Sequence, residues 1–147
     1  MTEPNTEAQE IIDRLNELLA AERAGVAAAA VMLEGLPKGF VRNGLEKIRL
    51  DESWSCAGLH RAVTAVGGEP TQATGDFDAK IAALDGLPER LELMSRGQAW
   101  VVKRIDVLLV AELEENTERF LREMRDAHQH NIDWCDQMAV ALAPQGA

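Results

Sequence analysis

Apolar residues recur at three- and four-residue steps along four long segments of this sequence, a spacing that places them on one face of a helix. The first segment begins at the capping-box pattern Thr6–Gln9 and ends before Gly35. The second runs from about Val41 to Val66, where two glycines and a proline follow. Such helices bury their apolar faces against one another, so the sequence predicts an all-α protein.

The third and fourth helices are predicted from the second half of the chain. The third begins near Pro88, which suits the first turn of a helix, and carries its apolar stripe as far as Glu112. The fourth follows a turn in which Asn116 or Thr117 is the candidate N-cap, and it continues to Leu142.

The lengths of the connections decide the topology. The first and third connections are short, whereas residues 69–86 form a long, polar, turn-rich stretch with a short helix predicted over Phe77–Leu84. We expect this stretch to run the length of the molecule, so that the third helix starts from the opposite end. The sequence therefore predicts a single domain, residues 1–147, folded as an antiparallel four-helix bundle with one long crossover connection.

Composition and charge exclude several classes of function. The chain has 25 acidic and 15 basic residues, and its net charge of −10 argues against binding to nucleic acid or to anionic membranes. The longest uncharged apolar stretch, Ala24 to Leu33, is too short to cross a bilayer. Cys56 and Cys135 form no CxxC motif and no secretion signal precedes them, so we expect a cytoplasmic protein with free thiols.

Polar side chains interrupt the apolar stripes at one level of the predicted bundle. Glu22, Glu52 and His128 each lie near the midpoint of a different helix, and Gln98 lies one turn from the midpoint of the third. An unpartnered carboxylate in a hydrocarbon core is costly. Either the bundle holds a cation at this level, or these groups satisfy one another as a buried polar cluster.

Carboxylate and imidazole donors on facing helices suit iron, manganese or zinc. Cys56 follows Glu52 by one turn and could extend such a site, although a packing role is the commoner one for a buried thiol. Arg104 lies near the inner face of the third helix. Its pairing with Glu22 or Glu52 would put a fixed cation where a metal would otherwise lie.

The sequence resembles the ferritin-like superfamily of four-helix carboxylate proteins. The resemblance depends on Leu18–Gly25 in the first helix and Asp51–Cys56 in the second. The segments Gly67–Pro70, Leu87–Leu91 and Arg96–Val102 are similar to a small bacterial ferritin-like family of uncharacterised function.

The dinuclear pattern of that superfamily is a Glu on the first and third helices and Glu-x-x-His on the second and fourth. Glu22 and Glu52 match it, but Ser55 stands at the second-helix histidine position. The third helix offers Gln98 near mid-depth, and its Glu112 is several turns away. The fourth helix has His128 without a Glu-x-x-His motif, so half of the ligand set is missing.

Two functions follow from these observations. The first is a degenerate ferritin-like bundle without catalytic activity, serving as a dimerisation or interaction module. The alternative is a redox or oxidase-type protein that binds iron, manganese or zinc through Glu22, Glu52 and His128 and acts on a small molecule. Gln98, Ser55, Cys56 and Arg104 would then surround the ligands. Trp54, Trp100 and Trp134 lie at the margins of stripes, where a homodimer interface or the core could hold them.

Overall fold

The computed structural model describes residues 6–144 of the chain. Helices occupy most of this range and no strand occurs in it. Four helices are long and one is short, which confirms the all-α prediction. Their bounds are α1 Thr6–Leu33, α2 Phe40–Ala65, α3 Phe77–Ala82, α4 Leu87–Leu109 and α5 Glu115–Leu142. None of the described helices is long and apolar enough to span a membrane.

The long helices pack as two hairpins. Short connections join α1 to α2 and α4 to α5, and these two pairs make the most extensive contacts in the described range. Contacts of α1 with α4 and of α2 with α5 close the arrangement. The predicted four-helix bundle with one crossover is confirmed.

The crossover runs along α1 from one end of the bundle towards the other. Asn16 of α1 donates a hydrogen bond to the carbonyl oxygen of Glu69 and accepts one from the amide of Thr71. Further along, the amide of Gly75 donates to the carbonyl oxygen of Ala20 at 3.1 Å. The short α3 then buries Ile81 in the apolar cluster at the far end. The third long helix, α4, therefore starts from the opposite end, as predicted.

The core consists of two apolar layers with a polar layer between them. Leucines of α1, α2 and α4 dominate one layer, and smaller residues with two methionines form much of the other. The level between them contains the buried polar residues Glu22, Glu52, Ser55, Gln98, His128 and Asn131.

Two predicted helix boundaries are wrong. The third long helix ends at Leu109, so Glu112 lies in the connection and is exposed rather than on the stripe. Beyond Leu108 a further turn would have directed Glu112 towards the apolar layer, and burying that charge is costly.

The fourth long helix begins earlier than predicted. Glu114 occupies the N-cap position, so neither Asn116 nor Thr117 is the cap. Glu115 and Glu118 lie in the first turn, where acidic side chains interact favourably with the helix dipole. Thr6, the first residue of the predicted capping box, is the first described residue of α1, and the residues before it lie outside the described range.

Candidate metal centre

The four polar side chains predicted to meet at mid-bundle do meet there. Glu22 comes from α1, Glu52 from α2, Gln98 from α4 and His128 from α5. Their exposed fractions are 0%, 2%, 3% and 0%, so none of them reaches bulk solvent. Each sits at an inward-facing position of its own helix, so the helical repeat that buries the leucines also buries these groups.

The carboxylates and the imidazole form one compact group. One potential ligand atom from each of Glu22, Glu52 and His128 lies within 4.8 Å of the others. The Nε2 atom of His128 is 2.6 Å from Oε1 of Glu22 and 4.0 Å from Oε1 of Glu52. Gln98 donates a hydrogen bond from Nε2 to Oε1 of Glu52, which holds that carboxylate on the α4 side.

The imidazole of His128 is oriented by the backbone of its own helix. Its Nδ1 lies 2.8 Å from the carbonyl oxygen of Met124. Because a carbonyl oxygen only accepts hydrogen bonds, Nδ1 carries a proton, and the lone pair of the neutral ring is then on Nε2. Histidines that bind metals are commonly held in this way, with one nitrogen on a carbonyl and the other free.

The close approach of Nε2 to a carboxylate requires a positive charge between them or on the ring. Burial lowers the pKa of His128, but the negative charge and close contact of Glu22, the Met124 carbonyl and the charge of Asp51 outweigh it and raise the pKa overall. A proton or a metal ion at Nε2 would satisfy both groups.

Several buried polar atoms in this layer have no hydrogen-bond partner among the described residues. They are Oε2 of Glu22, Oε1 of Gln98 and Oγ of Ser55, and when the ring is neutral Oε1 of Glu22 and Nε2 of His128 also face each other at 2.6 Å with no proton between them. One imidazolium could balance one of the two carboxylates, and the other would keep an uncompensated charge. A divalent cation would balance both, which is the charge and donor set that a metal ion fits.

Gly25 of α1 provides the space for the Glu52 carboxylate. A Cβ atom at this position would lie 2.7 Å from Oε2 of Glu52, closer than nonbonded atoms approach. The sequence shows the glycine, but only the packing of α1 on α2 shows what it accommodates.

The predicted pairing of Arg104 with Glu22 or Glu52 is wrong. Arg104 lies 3.1 Å from Oε1 of Glu17 at the partly exposed edge between α4 and α1, and its guanidinium lies 4.4 Å from the ring centre of Trp100. Keeping the guanidinium at this edge avoids the cost of desolvating it.

The thiol next to the site is not part of the compact group. Cys56 is half-buried, and the group of potential ligands in the described range consists of Glu22, Glu52 and His128. Burial, and secondarily the negative charge of Glu22, raise the pKa of Cys56 to about 11, although Arg23 opposes this. A thiol that stays protonated is a poor metal ligand.

Ser55 is the other residue predicted beside the site, and it is fully buried in the polar layer. Its hydroxyl has no hydrogen-bond partner among the described residues. By contrast His60 and His130 are exposed, so they lie away from this layer.

A network beside His128 was not assigned a role from the sequence. Asn131 donates to Oδ2 of Asp51 at 3.1 Å, and Lys47 donates to the same oxygen at 2.7 Å and to the amide oxygen of Asn131 at 3.2 Å. Two features of the sequence could have indicated this network. Asn131 lies one turn after His128, and Asp51 is next to Glu52. This network ties α2 to α5 at the level of the polar layer.

A cavity of about 470 Å³ opens between α1, α4 and α3, and both Glu52 and Gln98 line it. Its walls are mostly apolar and small, with Phe77 and Trp100 as the aromatic members. The sequence does not reveal this cavity, because its walls come from four separate helices and the crossover.

Residues 9–137 match the model of a family described as Domain of unknown function (DUF6306). The chain belongs to the DUF6306 family. Among solved structures, the DUF6306 chain is similar to one described as ferritin like, diiron-carboxylate proteins, from Bacillus anthracis str. Ames. The TM-score is 0.78 at 18% identity, and the match covers 95% of this chain and 99% of the other.

This likeness confirms the predicted ferritin-like fold of the DUF6306 chain. The identity is too low to transfer an activity, because fold alone does not determine function. Comparison with curated proteins gives no match.

Proposed function

We propose that this DUF6306 protein binds one divalent transition-metal ion, iron or manganese, through Glu22, Glu52 and His128. The observation that carries the proposal is two buried carboxylates facing one imidazole, with Oε2 of Glu22, Oε1 of Gln98 and Oγ of Ser55 lacking a partner in the described range. A metal ion would supply the missing charge and accept the unused lone pairs.

The donor set supports one ion rather than two. Dinuclear centres in such bundles use about six protein ligands. Here Ser55 replaces a histidine and Gln98 stands where a carboxylate would be needed. Carboxylate oxygens suit manganese and iron, and imidazole nitrogen suits iron and zinc, so iron fits both donor types.

The protein's own residues would prepare the site. The Met124 carbonyl fixes the tautomer of His128, and the amide of Gln98 fixes one oxygen of Glu52. The two apolar layers exclude water from above and below. When bound, the metal would supply a redox or Lewis-acid centre with coordination positions that these three residues leave open.

Metal content after anaerobic dialysis against ferrous or manganous ion tests the proposal. We expect about one ion per chain in the wild type, and little in Glu22→Gln or Glu52→Gln, because an amide is a weaker ligand than a carboxylate. Glu112→Gln is the matched control, since Glu112 is exposed in a connection and should leave uptake unchanged. Metal-free wild-type protein after dialysis, or equal uptake by all variants, would overturn the proposal.

A metal-free interaction module is the second candidate, and one observation favours it. Leu50 and Trp54 of α2 are one turn apart and are 61% and 40% exposed, so they place two large apolar side chains next to each other on the outer face of α2. Homodimerisation remains a prediction, and light scattering measures it directly. A dimeric wild type and a monomeric Leu50→Lys variant with unchanged helicity would support this candidate, and a monomeric wild type would contradict it.

A further inference from the structure

We propose that the cavity between α1, α3 and α4 binds a small, uncharged, mainly apolar organic molecule whose inner end carries a hydrogen-bond donor, as in an aromatic alcohol. The inference rests on the proposed metal centre in one respect, namely that the inner end of this molecule lies beside Glu52. It adds to that centre the chemical class of the molecule it acts on.

The dimensions and walls of the cavity suit such a ligand. Its volume of about 470 Å³ lies in the range of small-molecule sites. Ala21 and Ala24 on α1 leave the space that larger side chains would fill, and the Glu52 carboxylate lies against Gly25 beside them. On the opposite side Gly97 allows the ring of Phe77 to lie close, since a Cβ there would be 2.7 Å from its Cζ. Aromatic walls favour a flat apolar ligand.

The inner end of the cavity offers hydrogen-bond acceptors. Glu52 and Gln98 line it and are almost completely buried. The Glu52 carboxylate only accepts hydrogen bonds, and Nε2 of Gln98 already donates one to its Oε1. A ligand that donates a hydrogen bond would satisfy such an acceptor, whereas an anionic group would be repelled by the neighbouring carboxylate.

The entrance has no excess of either charge. Glu17 and Asp76 stand at it with Lys80 and Arg96. Asp76 lies 3.8 Å from Lys80, and Glu17 pairs with Arg104. Because these charges offset one another, the entrance does not concentrate ions of one sign, and an uncharged ligand meets no electrostatic barrier.

Titration calorimetry with three probes of one size tests the proposal. We expect 2-naphthol to bind more tightly than naphthalene, which lacks the donor. It should also bind at least about tenfold more tightly than 2-naphthoate, which is anionic. Ala21→Leu should weaken 2-naphthol binding about tenfold or more by filling the cavity. Ala27→Leu is the matched control, because Ala27 is also half-buried on α1 but does not line the cavity.

The proposal is overturned if 2-naphthol does not saturate the protein, if Ala21→Leu binds it as well as Ala27→Leu does, or if 2-naphthoate binds more tightly. The titrations are made on metal-free and metal-loaded protein, with metal content measured separately. Metal uptake without naphthol binding refutes the cavity proposal alone. Naphthol binding to a protein that takes up no metal refutes the metal centre alone.

Discussion

Gly25 and Glu52 form the tightest steric relation at the candidate centre, and it leads to a prediction at the scale of one residue. A methyl group at Gly25 would overlap Oε2 of Glu52, so Gly25→Ala must move either the carboxylate or α1. We expect a loss of about 1–3 kcal/mol in the free energy of unfolding and weaker metal binding. Chemical denaturation and metal titration measure the two effects.

Gly75→Ala is the control for this substitution. A Cβ at Gly75 would meet the Cβ of Ala24 at 3.5 Å, an ordinary contact, and should be tolerated. If Gly25→Ala matched Gly75→Ala in both stability and metal affinity, the space at Gly25 would have no bearing on the position of Glu52.

The two thiols give a pH-dependent prediction. Burial is the main cause that raises the pKa of Cys56 to about 11 and that of Cys135 to about 12. At pH 8 the thiolate fraction of Cys56 is then only about one part in a thousand. We expect alkylation of Cys56 by iodoacetamide to rise about tenfold per pH unit from 7 to 10 without a plateau.

The same shifts have a consequence for stability, with a definite sign. In the unfolded chain a thiol has a pKa of about 8.5. Because the folded state keeps the thiol protonated, the free energy of unfolding falls as the pH rises from that value towards the pKa of the folded state. Below about pH 8 the contribution is constant. Rapid alkylation of native protein at pH 7, at the rate seen in denaturant, would contradict the burial of both thiols.

At the scale of the elements, the attachment of the crossover to α1 is open to test. Asn16 uses both ends of its amide, on the carbonyl of Glu69 and the N–H of Thr71. Asn16→Ala removes both hydrogen bonds and should cost about 1–2 kcal/mol in stability. Hydrogen exchange should accelerate in residues 69–75 but not in α5.

Asn43→Ala serves as the control for the crossover, since Asn43 is exposed near the start of α2 and makes no described side-chain hydrogen bond. Equal exchange rates in residues 69–75 for the two variants would show that the crossover is held by other contacts. Arg23, which donates to the carbonyl oxygens of Thr71 and Ala73, would then be the next residue to substitute.

The elements were largely predictable because their signals are local and repeated. Each long helix has an apolar stripe of at least five residues, and glycines or prolines follow the first two helices. The end of α4 was predicted wrongly because Glu112 has the four-residue spacing of the stripe but is charged, whereas the stripe consists mainly of apolar residues. The start of α5 was predicted wrongly because acidic residues in a first turn signal a helix more weakly than Asn or Thr at a cap.

The candidate site was predictable in its members but not in its contacts. Equal depth along four helices was enough to bring Glu22, Glu52, Gln98 and His128 together. The partner of Arg104 depended on the rotation of α4 about its axis, which decides whether Arg104 faces Glu17 at the edge or Glu52 inside. The cavity and the space at Gly25 depend on distances between helices, which one sequence does not contain.

At the scale of the whole molecule, a polar layer divides the core into two apolar layers. This arrangement is costly for the empty protein, because desolvated carboxylates lack full compensation. With the proposed cation bound it would become favourable, since the charges would then attract a common partner in a medium of low dielectric constant. This layer should therefore destabilise the folded state when no metal is bound, and metal binding should offset that destabilisation.

Because the buried charge of Glu52 is costly without metal and useful with it, the order of stability of the wild type and Glu52→Gln should reverse when metal is added. Without metal, and with chelator present, Glu52→Gln should be as stable as the wild type or up to about 1–2 kcal/mol more stable, because it removes a buried charge and still accepts from Gln98. With metal at about 100 times its Kd, the wild type should gain about 2.7 kcal/mol, a rise in Tm of about 5–10 °C, while the variant gains little. Thermal melts of both proteins with ferrous or manganous ion and with chelator supply the four values needed. A variant clearly less stable than the wild type in chelator, together with no shift of either protein on adding metal, would make Glu52 part of a metal-free structural network.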